Sequence, residues 1–470
     1  MLKKAIYTRY ATSSLGILFT ALSIFFVTFY LDVNEFAVWG IANSLIYFLT
    51  QLGQLTYVQY VEKYFPNLEP NEMFSKLIKF IKTVILFLPV WFLILICLNY
   101  LNYFEKYKIE NIEILFLLIS LTIFIESTNE IVSKYILSIE KTTKYDQIDF
   151  ILNKLFKFII FLILLVNNFS IYHLLFTNLI IRSLYVLTVI FQNGQNFKSI
   201  TTEFVTAKVF KDNFLSLSYS SSAFLIKTLH VSFLNIVFLM FTPFVTSNEI
   251  ATYSLCIFII NNLRPVSSSI SALLIPKISR NIQLKNKDTK LLNFVTNLSA
   301  LVGSLFVLAS MVLFFLRDLY TLYFDDYLDN FYFLIILSIY ASTINSLYAP
   351  KFFHIKFSNE EGKILILTLI NYFSLIALNA YFEGSLNIIL IYIIFELVNF
   401  LIVQSLYYLR KYEGNKIINS PPYIFATIST FLIYFEIYLN IPLLFLILLL
   451  ILFKGLVDIS KNYKNYLDLK

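Results

Sequence analysis

Residues 84–98 read VILFLPVWFLILICL, an apolar run without a charged residue. Residues 364–382 form a second uncharged run, and residues 423–453 are interrupted only by Glu436. A bilayer core about 30 Å thick needs about 20 helical residues to cross it, so runs that approach or exceed this length predict membrane-spanning helices. The mean hydropathy of +0.76 and the charged fraction of 14% extend this conclusion to the whole chain of 470 residues. The sequence therefore predicts an all-α polytopic membrane protein.

The apolar runs predict about fourteen transmembrane helices. We place them at residues 10–30, 37–59, 80–100, 112–136, 149–167, 171–193, 213–240, 250–275, 292–316, 330–352, 364–382, 386–408, 422–440 and 441–458. The first run is longer than the core of a signal peptide, and no small-residue cleavage site follows it. We therefore interpret it as a retained first helix.

Lysine and arginine residues divide the predicted loops into two sets. The larger hydrophilic segments, near residues 60–79, 194–212 and 277–291, are basic, and both termini fall on their side. The positive-inside rule makes this side cytoplasmic. We expect a multi-pass protein of a bacterial cytoplasmic membrane with both termini in the cytoplasm. The opposite loops are short, and their only basic residues are Lys106, Lys108 and Arg317.

Two lysines fall inside predicted helix 5 rather than in a loop. Lys154 and Lys157 lie in the half of that helix that is closer to the cytoplasm. Long basic side chains can extend along apolar surface to reach water. We expect both to snorkel to the cytoplasmic surface.

A short sequence recurs at the start of two predicted helices. Asn34-Glu35-Phe36-Ala37 opens helix 2, and Asn248-Glu249-Ile250-Ala251 opens helix 8, 214 residues later. An aromatic residue follows each alanine by two positions, and each helix runs on to a cytoplasmic proline. We interpret this as an internal duplication, with six-helix bundles at 1–193 and 213–410, a linker at 194–212, and helices 13–14 with a tail at 411–470. Parallel repeats of this kind are a transporter plan with the substrate near the midplane.

The same residues give the chain a resemblance to a known family. Glu35-Phe-Ala-Val-Trp-Gly40, Tyr64-Phe-Pro66, Glu249-Ile-Ala-Thr-Tyr253, Leu274-Ile-Pro-Lys-Ile-Ser279 and Leu319–Tyr327 resemble segments of the polysaccharide flippases, the O-antigen and capsule repeat-unit translocases. These belong to the multidrug/oligosaccharidyl-lipid/polysaccharide exporter superfamily. The chain departs from the family where Phe36 and Ala37 follow Glu35, a place where the family often has glycine.

The resemblance implies both a fold and a function. It implies two six-helix bundles forming a V that opens alternately to each side, with two further C-terminal helices as in peptidoglycan-precursor flippases. The implied substrate is an undecaprenyl-diphosphate-linked oligosaccharide. The implied partners are membrane lipids and the glycan polymerase or chain-length proteins of such a pathway, without nucleic acid.

Three basic residues lie deep in predicted helices. They are Arg182 in helix 6, Lys227 in helix 7 and Arg264 in helix 8. A charge at bilayer depth costs about 2.5–3.5 kcal/mol on insertion scales, which makes it a functional hypothesis by default. Arginine binds phosphate through its bidentate fork and lysine as a point charge. We predict that Lys227 and Arg264 grip the diphosphate, with Arg182 as a third contact; the alternative is structural pairing with buried acids.

Polar residues at helical spacing predict the lining of a wet cavity on helices 2, 7 and 8. The predicted lining residues are Asn43, Gln51, Gln54, Ser220, His230, Asn261 and Ser268. Lipid tails offer no hydrogen-bond partners to these rows of polar side chains, so each row needs contact with water or with polar groups of the protein.

Three acids also lie at bilayer depth, as candidates for ion pairing or coupling. Glu126 and Glu130 in helix 4 precede Lys134 at spacings of four, which favours an intrahelical ladder. Glu396 in helix 12 has no local partner. It either pairs with a distant basic residue or binds the proton or Na⁺ that drives transport.

The sequence carries no signature of an enzyme, cofactor or metal site. No phosphate-binding glycine loop, zinc-protease motif or CxxC pair occurs, and Cys97 and Cys256 lie in separate apolar runs. The alternatives within transport are a lipid II-type flippase and a drug/cation antiporter. A membrane glycan polymerase would require a large external loop, which the predicted topology lacks.

Overall fold

The computed structural model describes residues 2–100, 104, 109, 111–139, 141–193, 207–264, 299, 302–303, 306, 331–356, 361–381 and 387–409. These residues form helices and turns and contain no strand. The predicted all-helical class is confirmed. The count of fourteen spans stays a prediction, because helices 13 and 14 and most of helix 9 lie outside the described residues.

The described helices follow one another in this order. The first five are α1 (Leu2–Tyr30), α2 (Val33–Gly53), α3 (Tyr57–Tyr64), α4 (Pro70–Ile85) and α5 (Leu88–Tyr100). The next five are α6 (Ile112–Ser138), α7 (Thr142–Asp149), α8 (Lys157–Val166), α9 (Ile171–Asn193) and α10 (Ala207–Phe241). The last four are α11 (247–264), α12 (Phe331–Lys356), α13 (Glu361–Tyr381) and α14 (Ile388–Leu409).

Seven helical stretches among the described residues are long and apolar enough to cross a membrane. They are Ala11–Tyr30, Val33–Gly53, Pro70–Tyr100, Ile112–Ser138, Ile171–Asn193, Phe224–Phe244 and Gly362–Asn379. Two shorter apolar stretches, Leu334–Ser346 and Ile388–Val403, accompany them. This pattern is that of a multi-pass membrane protein.

The recurring Asn-Glu sequence begins two helices for a local reason. Asp32 caps α2 by accepting a hydrogen bond from the backbone N–H of Glu35, at 2.7 Å. Thr246 and Glu249 form a reciprocal capping box at the start of α11, with bonds of 2.7 and 3.3 Å. In both cases the acid at the second position of the motif lies in the first turn, where the helix dipole favours a negative charge.

Predicted helix 2 is interrupted near its C-terminal end. Residues 54–56 separate α2 from α3, and Leu55 has φ of 50°, in the left-handed region. A bulky residue rarely adopts this conformation, so the surrounding packing must hold it there. The break redirects the chain directly beside Gln54.

Predicted helix 3 begins earlier than its apolar run. α4 starts at Pro70, which suits the first helical position because its missing N–H has no intrahelical partner there. The helix breaks at Leu86 and Phe87, ahead of Pro89, and continues as α5. The proline ring explains the break.

Predicted helix 5 contains a π-helical segment. Residues Phe150–Phe156 form it between α7 and α8. Such segments rotate the following residues relative to a regular helix and are frequent at functional sites. Here the segment brings Asn153, Lys154 and the start of α8 against neighbouring helices.

The described residues divide at Leu255 into two compact units. In the first unit, α6 packs against α2, α3, α4, α5 and α9, and α1 packs against the α7–α8 segment. A core of Tyr57, Phe65, Phe80 and Tyr135 fills its α3–α4–α6 junction, with the rings of Tyr57 and Phe80 stacked at 4.2 Å. α10 belongs to this unit, because it packs along α2 and α3.

In the second unit, α14 is central. It packs against α12 and α13, which also touch each other. The predicted bundle boundaries at 193/213 and 410 stay a prediction, since residues 194–206 and 410–470 lie outside the described residues.

Candidate functional site

Lys227 projects from α10 toward α2 and α6. Its ammonium nitrogen donates a hydrogen bond to Gln54 Oε1 at 3.1 Å and lies 3.7 Å from Glu130 Oε2. Gln54 Nε2 in turn donates to Gln51 Oε1 at 2.6 Å. The side chain of Glu130 is 40% exposed, so the described residues do not fully enclose this ion pair. Three helices of the first unit thus meet at one lysine.

Arg182 lies on α9 between two carboxylates. Its Nε is 2.9 Å from Glu126 on α6, and its Nη1 is 3.6 Å from Asp149 at the end of α7. Asp149 also accepts a hydrogen bond from Asn153 of the π-helical segment, at 2.7 Å. The guanidinium therefore joins α6, α7 and α9 of the first unit.

The two lysines of predicted helix 5 bond within the protein. Lys154 Nζ donates to Thr20 Oγ1 of α1 at 3.3 Å, and Lys157 Nζ donates to Asn178 Oδ1 of α9 at 2.6 Å. The expected snorkelling to the cytoplasmic surface was wrong for this arrangement. The π-helical segment turns both lysines toward α1 and α9, where polar partners are available.

The predicted ladder along helix 4 is replaced by pairs between helices. Glu126 pairs with Arg182 and Glu130 with Lys227. Lys134 pairs with Glu62 of α3 at 2.8 Å, and the Glu62 side chain is nearly fully buried. Glu126, Glu130 and Lys134 are spaced by four residues along α6, but each forms its ion pair with a residue of a facing helix.

The second unit holds a buried ion pair of its own. Arg264 Nη2 lies 3.8 Å from Glu396 Oε1, with the Glu396 side chain 0% exposed. The other carboxylate oxygen accepts hydrogen bonds from the Tyr348 hydroxyl and, at 3.2 Å, from Asn345 Nδ2. Glu396 is therefore held by α12 on one side and faces Arg264 of α11 on the other.

The ion pairs fall into two classes by distance. Lys134–Glu62 and Arg182–Glu126, at 2.8 and 2.9 Å, have the separation of charge-assisted contacts. Lys227–Glu130 and Arg264–Glu396, at 3.7 and 3.8 Å, exceed hydrogen-bond distance. Arg9–Asp146, at 4.0 Å, is also longer than a hydrogen bond. Of the three cations predicted to bind phosphate, Arg182 has a close carboxylate, whereas the carboxylates paired with Lys227 and Arg264 are farther away.

The remaining predicted lining residues are placed as follows. Asn43 is half-buried and donates to the Trp39 carbonyl at 2.7 Å; His230 is buried on α10, and Asn261 is half-buried on α11. Ser220 lies in α10, and its side chain is outside the described part of the chain. Ser268 lies outside the described residues altogether.

Several polar residues of the site were missed by sequence reasoning. Thr20, Asn178, Asn345 and Tyr348 each bond a charged group from a different helix. Asn345 and Tyr348 are three apart on an apolar helix, which puts them on one face. That spacing could have marked them as partners for a buried charge.

A titratable group lies just ahead of predicted span 5. Asp146 in α7 is 4.0 Å from Arg9 of α1. Burial raises the pKa of the Asp146 carboxyl, Arg9 lowers it, and Asp149 raises it further. The net effect is a raised pKa, which makes this carboxyl easier to protonate than a free aspartate.

Neither a protein-family model nor a curated protein sequence matches this chain. Solved structures do match. The lipid II flippase MurJ in an inward closed conformation aligns with a TM-score of 0.62 at 15% identity, covering 98% of this chain and 99% of that one. The eukaryotic MATE transporter AtDTX14 aligns at 0.60 and 14% identity, covering 87% and 95%.

A third similar structure is an outward-facing multidrug resistance MATE family transporter of the MOP superfamily. It aligns with a TM-score of 0.60 at 12% identity, covering 87% of this chain and 95% of that one. At such identities the likeness concerns the fold. The chain is a multi-pass helical membrane protein with the fold that MATE transporters share with the MurJ flippase.

Proposed function

We propose that this protein is a flippase that moves undecaprenyl-diphosphate-linked oligosaccharides across the cytoplasmic membrane by alternating access. The observation that carries the proposal is the pairing of Lys227 and Arg264 with carboxylates beyond hydrogen-bond distance. Both cations lie within helical units of a transporter fold. A phosphorylated headgroup is the ligand class that such cations attract.

In this proposal, the carboxylates of Glu130 and Glu396 pair with the two cations when no phosphate is bound to them. Glu130 and Glu396 keep the two cations charged and oriented while no substrate is present. An ion pair at 3.7–3.8 Å gains less than one in direct contact, because Coulomb energy falls with distance and charge-assisted hydrogen bonding is lost. A phosphate oxygen at contact distance competes with such a partner. Glu396 is thus proposed to pair with Arg264 between encounters with substrate.

Arg182 is less suited than Lys227 and Arg264 to bind the phosphate of the substrate. Its contact with Glu126 is at 2.9 Å, and Asp149 lies on its other side. Two carboxylates near one guanidinium leave less positive potential for a phosphate. We assign Arg182 chiefly to holding α6, α7 and α9 together.

A second candidate substrate is a lipid II-type peptidoglycan precursor. The MurJ match covers 98% of this chain, whereas the two MATE matches above cover 87%. The larger coverage is what two additional C-terminal helices, predicted at 422–458, would give. Both candidates share a lipid diphosphate headgroup and differ in the attached glycan.

A drug/cation antiporter is the alternative of another substrate class. The half-exposed Glu130 is the feature that would serve an organic cation. Lys227 beside it opposes this use, because a bound organic cation would meet a like charge at short range.

Transport by the purified protein in proteoliposomes separates these classes. Undecaprenyl-diphosphate oligosaccharide, lipid II and ethidium are offered in parallel, and translocation is scored as protection or accumulation. We expect translocation of a lipid diphosphate and none of ethidium. Ethidium transport without lipid diphosphate translocation would reject the proposal.

A further inference from the structure

α1 is attached to the first unit mainly through the chain that runs from α7 to α8. It packs against α7, the π-helical segment and α8, and makes few contacts with α2. Only 24% of the most apolar stretch of Ala11–Tyr30 is buried, compared with 78% in Val33–Gly53 of α2. α1 is therefore a peripheral helix of its unit, and a change in a few contacts is enough to alter its packing.

Two polar contacts join α1 to this chain. One is the hydrogen bond from Lys154 to Thr20, and the other is the ion pair of Arg9 with Asp146, whose side chains are 21% and 17% exposed. Arg9 Nε lies 4.0 Å from Asp146 Oδ2, which exceeds hydrogen-bond distance. Arg9 Nη1 and Asp146 Oδ2 are buried, and neither makes a hydrogen bond with a described residue. The buried carboxylate of Asp146 thus has a distant counter-charge and poor hydration.

A second carboxylate on α7 has better surroundings. Asp149 follows Asp146 by three residues, which places the two on one face of the helix. Asp149 accepts a hydrogen bond from Asn153 at 2.7 Å and lies 3.6 Å from Arg182 Nη1. Hydrogen bonds and nearby cations stabilise the charged form of a carboxyl group. Of the two acids, Asp146 is therefore the one whose negative charge the structure stabilises less.

Burial and neighbouring charges act on Asp146 in opposite directions. Burial raises the pKa of its carboxyl, Arg9 lowers it and Asp149 raises it, so that the net pKa lies above the ordinary value of an aspartate. Further charged or titratable groups on the elements packed against α7 are Glu126 and Tyr135 of α6, Lys154 of the π-helical segment, and Arg182 and Tyr185 of α9. The attraction of Arg9 thus offsets only part of the cost of burying this charge.

The direction of this shift determines how pH acts on the packing of α1. As the pH falls, an equilibrium between two arrangements moves toward the one that binds the proton more tightly. In the packed arrangement, Asp146 is buried and its pKa is raised. Departure of α1 would admit water to the carboxyl and bring its pKa back toward about 3.9. The packed arrangement is therefore favoured at low pH and loses stability as the pH rises through the raised pKa.

We propose that Asp146 is a proton-binding site that controls the attachment of α1 to α7. α1 stays packed while the carboxyl carries its proton, and loss of that proton favours release of the Arg9 end of the helix. The proton is exchanged with water on the predicted cytoplasmic side, where α7 precedes predicted span 5. The inference does not depend on the transported substrate and goes beyond the proposed function.

Distances between spin labels test this release. In a Cys97→Ser/Cys256→Ser background, labels are attached at the exposed positions Ala11→Cys and Gln147→Cys, and the protein is placed in nanodiscs. We expect a longer component of the distance distribution to grow roughly threefold between about pH 4 and about pH 8. Gln147→Cys with exposed Asn71→Cys on α4 is the matched pair without α1, and its distance should stay constant. A constant distance in the α1 pair, a longer distance at low pH, or an equal change in the control pair would overturn the inference.

Three substitutions identify the group that titrates. Asp146→Asn resembles the protonated carboxyl in shape and charge, so we expect the short distance at every pH. Arg9→Gln removes the charge that partly offsets burial, so we expect more release at high pH than in the parent protein. Asp149→Asn should keep a smaller pH response, because it removes a like charge but leaves Asp146 in place. A full pH response in Asp146→Asn, less release in Arg9→Gln, or loss of the response in Asp149→Asn would overturn the assignment of the proton to Asp146.

Discussion

Gly40 of α2 lies directly against the side chain of Ser254 in α11. A Cβ at position 40 would be 1.9 Å from Ser254 Oγ and 2.3 Å from its Cβ. Each residue follows the asparagine of its Asn-Glu sequence, Asn34 or Asn248, by six positions. Equivalent positions of the predicted repeat therefore touch each other. The interpretation of a duplication stays a prediction.

Gly40→Ala should destabilise this contact. The added methyl group cannot fit without displacing α11, at a cost of about 1–3 kcal/mol for overpacking. We expect a lower unfolding temperature in detergent. Ser254→Gly in the same chain should restore it, since it removes the facing Cβ. Gly362→Ala is the matched control, because no atom lies within 4 Å of the added Cβ; an equal loss in that variant would show that the effect is not steric.

Lys134→Met should lower stability without impairing transport. Its close pair with the buried Glu62 is broken, and removal of one partner from a buried pair costs about 3–5 kcal/mol. We expect a lower midpoint of denaturation and a normal translocation rate per folded molecule. A specific loss of transport would place Lys134 in the functional site instead.

Arg264→Leu and Glu396→Gln should each destabilise the second unit, while the double variant recovers part of the loss. Each single change removes one charge of this buried pair and keeps the other, and the double change removes both charges. Thermal unfolding of the four proteins gives the coupling energy. Additive losses would show that the two side chains do not interact.

Glu130→Gln should strengthen binding of a lipid diphosphate. The substitution removes the carboxylate that competes for Lys227 at 3.7 Å. We expect a several-fold lower dissociation constant for undecaprenyl diphosphate. Glu113→Gln is the control on the same helix, at an exposed position. Weaker binding in Glu130→Gln would mean that the carboxylate contributes to the ligand site rather than opposing it.

The sequence predicts the helical class because membrane spans are local. Val84–Leu98 and residues 364–382 are uncharged over lengths that approach what a bilayer requires, so no distant residue is needed to predict these spans. Pro70 and Pro89 could also have located the start of α4 and its break. Leu55 could not have been recognised, because its left-handed conformation depends on packing rather than on residue type.

The partners of the buried charges were largely beyond sequence reasoning. Glu126, Glu130 and Lys134 form a plausible ladder at spacings of four, yet each pairs with another helix. Their partners depend on helix register across the unit, which local patterns do not encode. The π-helical segment around Lys154 likewise has no sequence signal. The functional choice of Lys227 and Arg264 stays a prediction.

The most direct test of the account is the translocation rate of lipid-linked oligosaccharide by Lys227→Ala and Arg264→Ala in proteoliposomes. A charge-assisted hydrogen bond is worth about 1.5–3 kcal/mol. We therefore predict at least a tenfold loss in each variant, with exposed Lys141→Ala unchanged. Normal rates in both variants, at wild-type levels of folded and inserted protein, would contradict the central claim that these cations bind the diphosphate.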